Sequence, residues 1–209
     1  MPTDPKTLQT IFSGAFTLFD IGQDYCLRII KRSDAKHYME YIQHKKVAKY
    51  IPDGCIPQNI TQAETMLQDM RDYFNKRQSI YWAIAKKADD QLIGTCGIEA
   101  WSVFHNRIEI SYDLAPDYWR QGIMQQAMST IMEYAYTKLE VNRIEAFTMT
   151  NNDASAKLLE SLEFSKEATL KQYRFYKGKF IDIDLFAHTR SQRPNEDGLL
   201  GKLKNMIKK

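Results

Sequence analysis

The residues with the clearest chemical potential are Trp119, Arg120, Gln121, Gly122, Ile123 and Met124, which follow the strand-like run Ile108 to Leu114 and open a long helical pattern. Apolar residues recur at Met124, Met128, Ile131, Ala135 and Leu139, and spacings of three and four predict an amphipathic helix packed on a sheet. A strand-to-helix junction carries unpaired backbone N–H groups at the positive end of the helix dipole, a geometry that favours a diphosphate or similar anion. Gly122 lets the main chain approach such an anion, Arg120 adds a fixed positive charge, and the cradle extends as far as Gln125. A lone glycine before a helix more often only shapes a turn, so this stretch needs support from elsewhere in the chain.

That support lies downstream. Arg143 to Thr150 is a second strand-like run, and it is followed by a helical pattern opening at Asn151, Asn152, Asp153, Ala154 and Ser155 and running to Phe164. Together the two motifs resemble the acyl-CoA-binding core of the GNAT family of N-acetyltransferases. Tyr118 and Trp119 before the glycine, Asn152 to Ser155 at the second helix, and the late run Tyr176 to Asp182 resemble the RimJ/RimL branch, best known for acetylating protein N-terminal amines. The resemblance covers roughly Tyr25 to Arg190. It implies an enzyme that takes acetyl-CoA as co-substrate, with no metal, and transfers acetyl to a primary amine in a direct ternary complex. A protein N-terminus is the first expectation for the acceptor. A non-catalytic acyl-CoA-binding or protein-interaction module, and a small-amine acceptor such as a polyamine or aminoglycoside, are the alternatives.

Acyl transfer from a thioester to an amine needs a phosphate cradle, a strand edge for the pantetheine arm, a base for the amine proton and a partner for the leaving thiolate. The edge is expected at Tyr112, Asp113 and Leu114, whose main-chain groups can pair with amides of an extended arm, in an opening that splays from the strand at Arg143 to Thr150. In the resembled branch an asparagine placed like Asn152 bonds the cofactor, and a serine placed like Ser155 bonds the departing sulfur; a plain helix cap and an ordinary first-turn serine are the bland readings. Glu109 alternates with Ile108 and Ile110, so it faces away from them, on the side of the central strand where the resembled family often holds a carboxylate that deprotonates through water. The resemblance makes it the candidate base, with a solvent-facing carboxylate as the bland reading and His105 as the alternative. The acidic residue that the branch often carries before the late glycine turn is missing from Tyr173, Arg174, Phe175 and Tyr176. Glu163 stands where a glycine usually precedes the phenylalanine, so a left-handed turn there would be strained.

The elements that must position these residues follow from pattern. After a short strand at Tyr25 to Lys31, Ser33 and Thr61 are expected to cap helices, with a turn-rich loop from Ile51 to Pro57 between them. Ile80 to Ala85 and Gln91 to Ile98 alternate around a short polar connection and predict an antiparallel hairpin; Asn106 to Leu114 adds a third strand, and Phe164 to Lys171 and Phe180 to His188 close the chain. The fold class is therefore α/β (α+β): a GNAT-like mixed, mostly antiparallel twisted sheet of about six to seven strands flanked by helices. The expected organisation is an arm at residues 1–20, in which Phe12, Phe16 and Phe19 have helical spacing, a domain at 21–190, and a basic amphipathic tail at 191–209 carrying Leu199, Leu203, Met206 and Ile207.

Composition restricts the function classes. With 29 basic and 26 acidic residues the net charge is +3, too small and too dispersed for a phosphate-tracking face, so nucleic acid is not an expected partner. Three cysteines without a C-x-x-C pair read as reduced thiols in a cytoplasmic protein, and four histidines show no zinc spacing. No leader pattern or membrane-spanning run is read, and the oligomeric state, a homodimer included, is left open.

Overall fold

The computed structural model describes residues 16–76 and 78–192. Its centre is a sheet of eight strands: β1 (Phe19–Ile21), β2 (Tyr25–Arg28), β3 (Ile80–Lys86), β4 (Leu92–Ser102), β5 (Arg107–Leu114), β6 (Arg143–Met149), β7 (Ser165–Tyr176) and β8 (Lys179–Thr189). Their order across the sheet is β1-β2-β3-β4-β5-β6-β8-β7, and every neighbouring pair is antiparallel except β5 with β6. Five α-helices accompany it: α1 (Ala35–Ile42), α2 (Lys45–Ala48), α3 (Ile60–Asn75), α4 (Ile123–Thr137) and α5 (Asp153–Ser161).

The strand beyond the expected count is β1. Gly22, at φ +66°, turns the chain back so that Phe19 faces Leu27 and Ile21 faces Tyr25. Phe19 therefore belongs to the sheet rather than to a helix, and its ring lies 6.0 Å from that of Trp82. Phe16 packs on the same indole at 5.6 Å, and the Trp82 Nε1–H donates to the Thr17 carbonyl at 2.8 Å. Phe12 and the amphipathic tail pattern lie outside the described residues.

The hydrophobic stripe of α4 is buried as its spacing requires, with Met128, Ile131 and Ala135 fully covered against β3 to β6. A second apolar cluster lies between α1, α3 and strands β3 and β4, built from Tyr38, Tyr41, Ile42, Leu67 and Ala83. Two cap expectations are corrected. A 3-10 turn at Arg32–Asp34 leads directly into α1, so Asp34 rather than Ser33 precedes it, and Asn59 rather than Thr61 caps α3, its side chain accepting from the Gln62 N–H at 3.0 Å.

The feature that positions the site is the brevity of the β5–β6 pairing. It covers Arg107 with Arg143, Ile108 with Ile144 and Glu109 with Glu145, and then stops. On the other side of β5, β4 carries a bulge between Ile98 and Ala100, opposite Ile110 and Glu109. A bulge bends and further twists the strand pair that holds it. The bend falls at the level where β5 leaves β6, and the two strands diverge from there to their C-terminal ends.

Candidate active site

Because β5 and β6 are parallel, the helices that follow them both begin at the open end of the gap. α4 starts at Gly122, which has φ +75° and ψ 0°, and no side chain caps it. The first helical bond runs from the Gln126 N–H to the Gly122 carbonyl at 3.0 Å, so the N–H groups of Ile123, Met124 and Gln125 stand ahead of the ladder. The Ile123 and Met124 side chains are buried in the core; only their main chain is available to a ligand. Arg120 also has a positive φ, +60°, and is exposed with Gln121, whose Nε2 donates to the Asp117 carbonyl at 2.8 Å. An uncapped helix start with a glycine in the left-handed region and an arginine beside it is a suitable cradle for a diphosphate.

Along β5, the Ala115 N–H pairs with the Ile93 carbonyl on β4 at 2.8 Å. Alternation then turns the main-chain groups of Asp113 toward β4 and those of Tyr112 and Leu114 toward the gap. The Leu114 carbonyl is already taken by Trp119, whose Nε1–H donates to it at 2.8 Å and so fixes the indole at the cradle's edge. Asp113 is placed elsewhere than expected. Its buried carboxylate accepts from the Tyr41 hydroxyl at 2.6 Å, the Thr95 N–H at 3.0 Å and the Thr95 hydroxyl at 2.7 Å. That network locks α1 to the sheet, and although burial raises the Asp113 pKa, the side chain does not line the gap.

The second helix closes on the same place. Asn152 is the N-cap of α5, its Oδ1 accepting from the Ser155 N–H at 3.3 Å, which leaves the amide nitrogen as a donor. Ser155 Oγ lies 2.8 Å from the Tyr112 hydroxyl, a direct link from α5 across to β5. Burial pushes the Tyr112 phenol up to about 12, so near neutral pH it keeps its proton. Across the gap from Tyr112, four residues beyond the paired Ile108 and Ile144, stands Thr148. Its Oγ1 is buried and has no hydrogen-bond partner among the described residues. An orphaned hydroxyl of this kind costs about 1–3 kcal/mol, and here it lies beside the β5–β6 gap, covered from solvent in this structure.

Glu109 occupies the apex of the gap on the opposite face of β5 from Tyr112, as its alternation with Ile108 and Ile110 requires. Its pKa is raised from 4.5 to about 7, first by burial and then by Glu99; Arg174 lowers it, Glu145 raises it and Arg107 lowers it. A carboxyl group near neutrality can accept a proton from an amine and return it to water. His105 is exposed in the turn before β5, at the opposite end of that strand from the cradle, and is not placed to act as a base.

Sequence patterns did not point to Thr148, Arg174 or the hydroxyl of Tyr112. Thr148 follows Ile144 and Ala146 at period two, which marks it as inward-facing but does not show that its hydroxyl lacks a partner. Arg174 reaches the site through an irregularity of β7 that no periodicity predicts.

The fold is one that known proteins share. The family signature described as an acetyltransferase (GNAT) domain matches residues 25–165. The chain belongs to the GNAT acetyltransferase family. An uncharacterized N-acetyltransferase of Bacillus licheniformis, p20, is 35% identical over 162 residues, 77% of this chain and 90% of that one. Among solved structures, RimL, a ribosomal L7/L12 alpha-N-protein acetyltransferase in complex with coenzyme A, superposes with a TM-score of 0.75 at 16% identity, covering 83% of this chain and 98% of RimL. Mycobacterium smegmatis RimJ in complex with CoA-disulfide gives 0.74 at 21% identity, over 85% of this chain and 88% of that one. This GNAT protein is thus an acyltransferase with the fold of RimL and RimJ. Among the described residues no group of three or more His, Cys, Asp or Glu side chains could hold a metal ion, and no helix is long and apolar enough to cross a membrane.

Proposed function

We propose that this chain transfers acetyl from acetyl-CoA to the α-amine of a protein N-terminus in a direct ternary complex. The observation that carries the reading is the shared mouth of the β5–β6 gap, where the uncapped start of α4, the Asn152 cap of α5 and the Tyr112–Ser155 bond meet. Bound there, acetyl-CoA supplies an activated acyl group as a thioester. Arg120 and the N–H groups of Ile123, Met124 and Gln125 hold the diphosphate end. The main chain of Tyr112 and the Leu114 N–H provide strand-like rungs, with the Asn152 amide nitrogen and the Thr148 hydroxyl as further polar partners. Glu109, from the opposite face, takes the amine proton through water. Ser155 donates a proton to the departing sulfur, and the Tyr112 hydroxyl at 2.8 Å fixes the direction in which Ser155 points.

The RimL likeness supports an α-amine acceptor, since that protein acts on an alpha-N position. The acceptor's route is the Glu109 face, bounded by β7 and by the segment after α2. The test is thiol release from acetyl-CoA with a panel of free-N-terminal peptides and simple amines, with product masses read from the peptides. Acetylated peptide N-termini support the proposal; thiol release only with polyamines or aminoglycosides overturns it.

A further inference from the structure

The Glu109 face carries a cation that the transfer chemistry above does not use. After a first register shift between Lys166 and Ala168, β7 and β8 pair as far as Leu170 with Ile183, and the next pair is Arg174 with Ile181, so Lys171, Gln172 and Tyr173 are thrown out as a second, larger bulge. Asp182 builds it: its Oδ1 accepts from the Gln172 N–H at 2.9 Å and its Oδ2 from Lys171 Nζ at 2.8 Å, while Gln172 takes φ +50°. The bulge directs two side chains over β6. The Tyr173 ring stacks on Phe147 at 5.8 Å and 5° between planes, and the Arg174 guanidinium lies 5.7 Å from the same Phe147 ring. From that perch Arg174 Nη2 reaches Glu109 Oε1 at 3.5 Å, a loose single contact, with the arginine side chain 46% exposed and the glutamate 21%. A guanidinium carries five N–H donors in a planar fork, and this one donates only that bond among the described residues. Of the surrounding charges on neighbouring strands, Glu145 accepts from Arg143 at 2.7 Å and from Arg107 at 3.4 Å, and Arg143 also pairs with Glu167, whereas Glu99 on β4 faces Glu109 with no ion pair among the described residues.

We propose that Arg174 is a specificity-determining residue that receives the oxygen following the acceptor amine, the first peptide carbonyl of a protein N-terminus, while Glu109 takes the amine proton through water. This rests on the N-terminal reading above and deepens it. An amine brought up to Glu109 places whatever sits three bonds further on beneath the spare donors of Arg174. A peptide N-terminus presents a carbonyl oxygen there and satisfies them. An aminopropyl polyamine presents a methylene there, which satisfies no donor, and a second ammonium one bond beyond, which the Arg174 charge opposes. The rigid support of the fork by Phe147 and the Asp182-built bulge lets it choose between the two rather than follow either.

Three acceptors decide the matter: a five-residue peptide with a free N-terminus, an alkylamine matching its first residue but lacking the carbonyl, and spermidine. Removing Arg174 takes away a charge that lowers the Glu109 pKa, so rates are measured as full pH profiles and compared on their plateaus, where a change in base strength does not mask a change in recognition. Wild type is expected to prefer the peptide over the alkylamine by about tenfold or more in kcat/KM, the size of a hydrogen bond to a charged group. Arg174→Ala should collapse that preference toward unity, mainly through KM for the peptide, and raise the relative rate with spermidine. Arg174→Lys should restore part of it, and acetyl-CoA affinity by calorimetry should stay unchanged in both. If the alanine variant unfolds, Arg174→Gln keeps the stem over Phe147 and takes its place. Peptide turnover in wild type with the same preference retained in Arg174→Ala overturns this inference alone. Absence of peptide turnover in wild type overturns the N-terminal reading and this one with it.

Discussion

Glu109 is held near neutrality because burial and the Glu99 charge oppose its ionisation by more than Arg174 and Arg107 favour it. If it is the base, kcat/KM rises with pH through about 7 and then levels. Glu109→Gln should lower kcat by roughly 10²–10⁴-fold while acetyl-CoA affinity, read by calorimetry, holds. The stability sign follows from the same shift. The folded state binds this proton more tightly than the unfolded chain, so the favourable contribution is complete below 4.5 and is lost as pH rises through about 7. Glu109→Gln should therefore raise the melting temperature at pH 8 relative to wild type and leave it nearly unchanged at pH 4; an equal gain at both would contradict the shifted carboxyl. Thr148 makes the complementary case. Thr148→Val removes an orphaned polar atom without changing shape, so the ligand-free protein should melt at the same temperature or higher while acetyl-CoA binds several-fold more weakly. Unaltered affinity would take that hydroxyl out of the site. The facing of Glu109 was legible because strand alternation is a local rule. Thr148 was not, because the absence of a partner is a property of the assembled gap.

At the level of elements, the long apolar stripe of α4 and the β3–β4 hairpin were readable from periodicity, since burial of one face imposes the pattern. The starts of α1 and α3 were misread because capping depends on which residue adopts extended backbone before the first turn, and Ser33 and Thr61 are chemically able but conformationally misplaced. Glu163 is an instance where a local rule succeeded. The chain needs a left-handed residue to leave α5, and Glu163 supplies it at φ +64° in place of glycine. Non-glycine residues pay about 1–2 kcal/mol for that conformation, partly offset by the extra unfolded-state freedom of glycine. Glu163→Gly should stabilise the protein by up to about 1 kcal/mol, a rise of roughly 2–4 °C in a thermal melt. A lower melting temperature would mean that the glutamate side chain earns its place by contacts. The β7 bulge had no signature of this kind, since Asp182 organises it from the neighbouring strand.

For the whole molecule, the sheet comprises two leaves, β1 to β5 and β6 with β8 and β7, joined within the sheet by three parallel residue pairs. Side chains add straps at the far end: the Tyr176 hydroxyl donates to the Lys49 carbonyl, Lys177 Nζ donates to the Ala48 carbonyl at 3.1 Å, and the Tyr50 hydroxyl donates to the Asn151 carbonyl at 3.3 Å. These straps bring the segment after α2 against the β7–β8 hairpin, a long-range pairing that neither stretch announces alone. So sparse a seam has a mechanical corollary. A bound thioester whose amides supply rungs between Leu114 and Met149 would act as a ninth strand, turning two hinged plates into one slab. Hydrogen exchange should then show β6 and β8 opening at lower free energy than β3 and β4 when the protein is empty, and all four together when acetyl-CoA is bound. Equal protection in the empty state would mean the seam is stronger than its three rungs suggest.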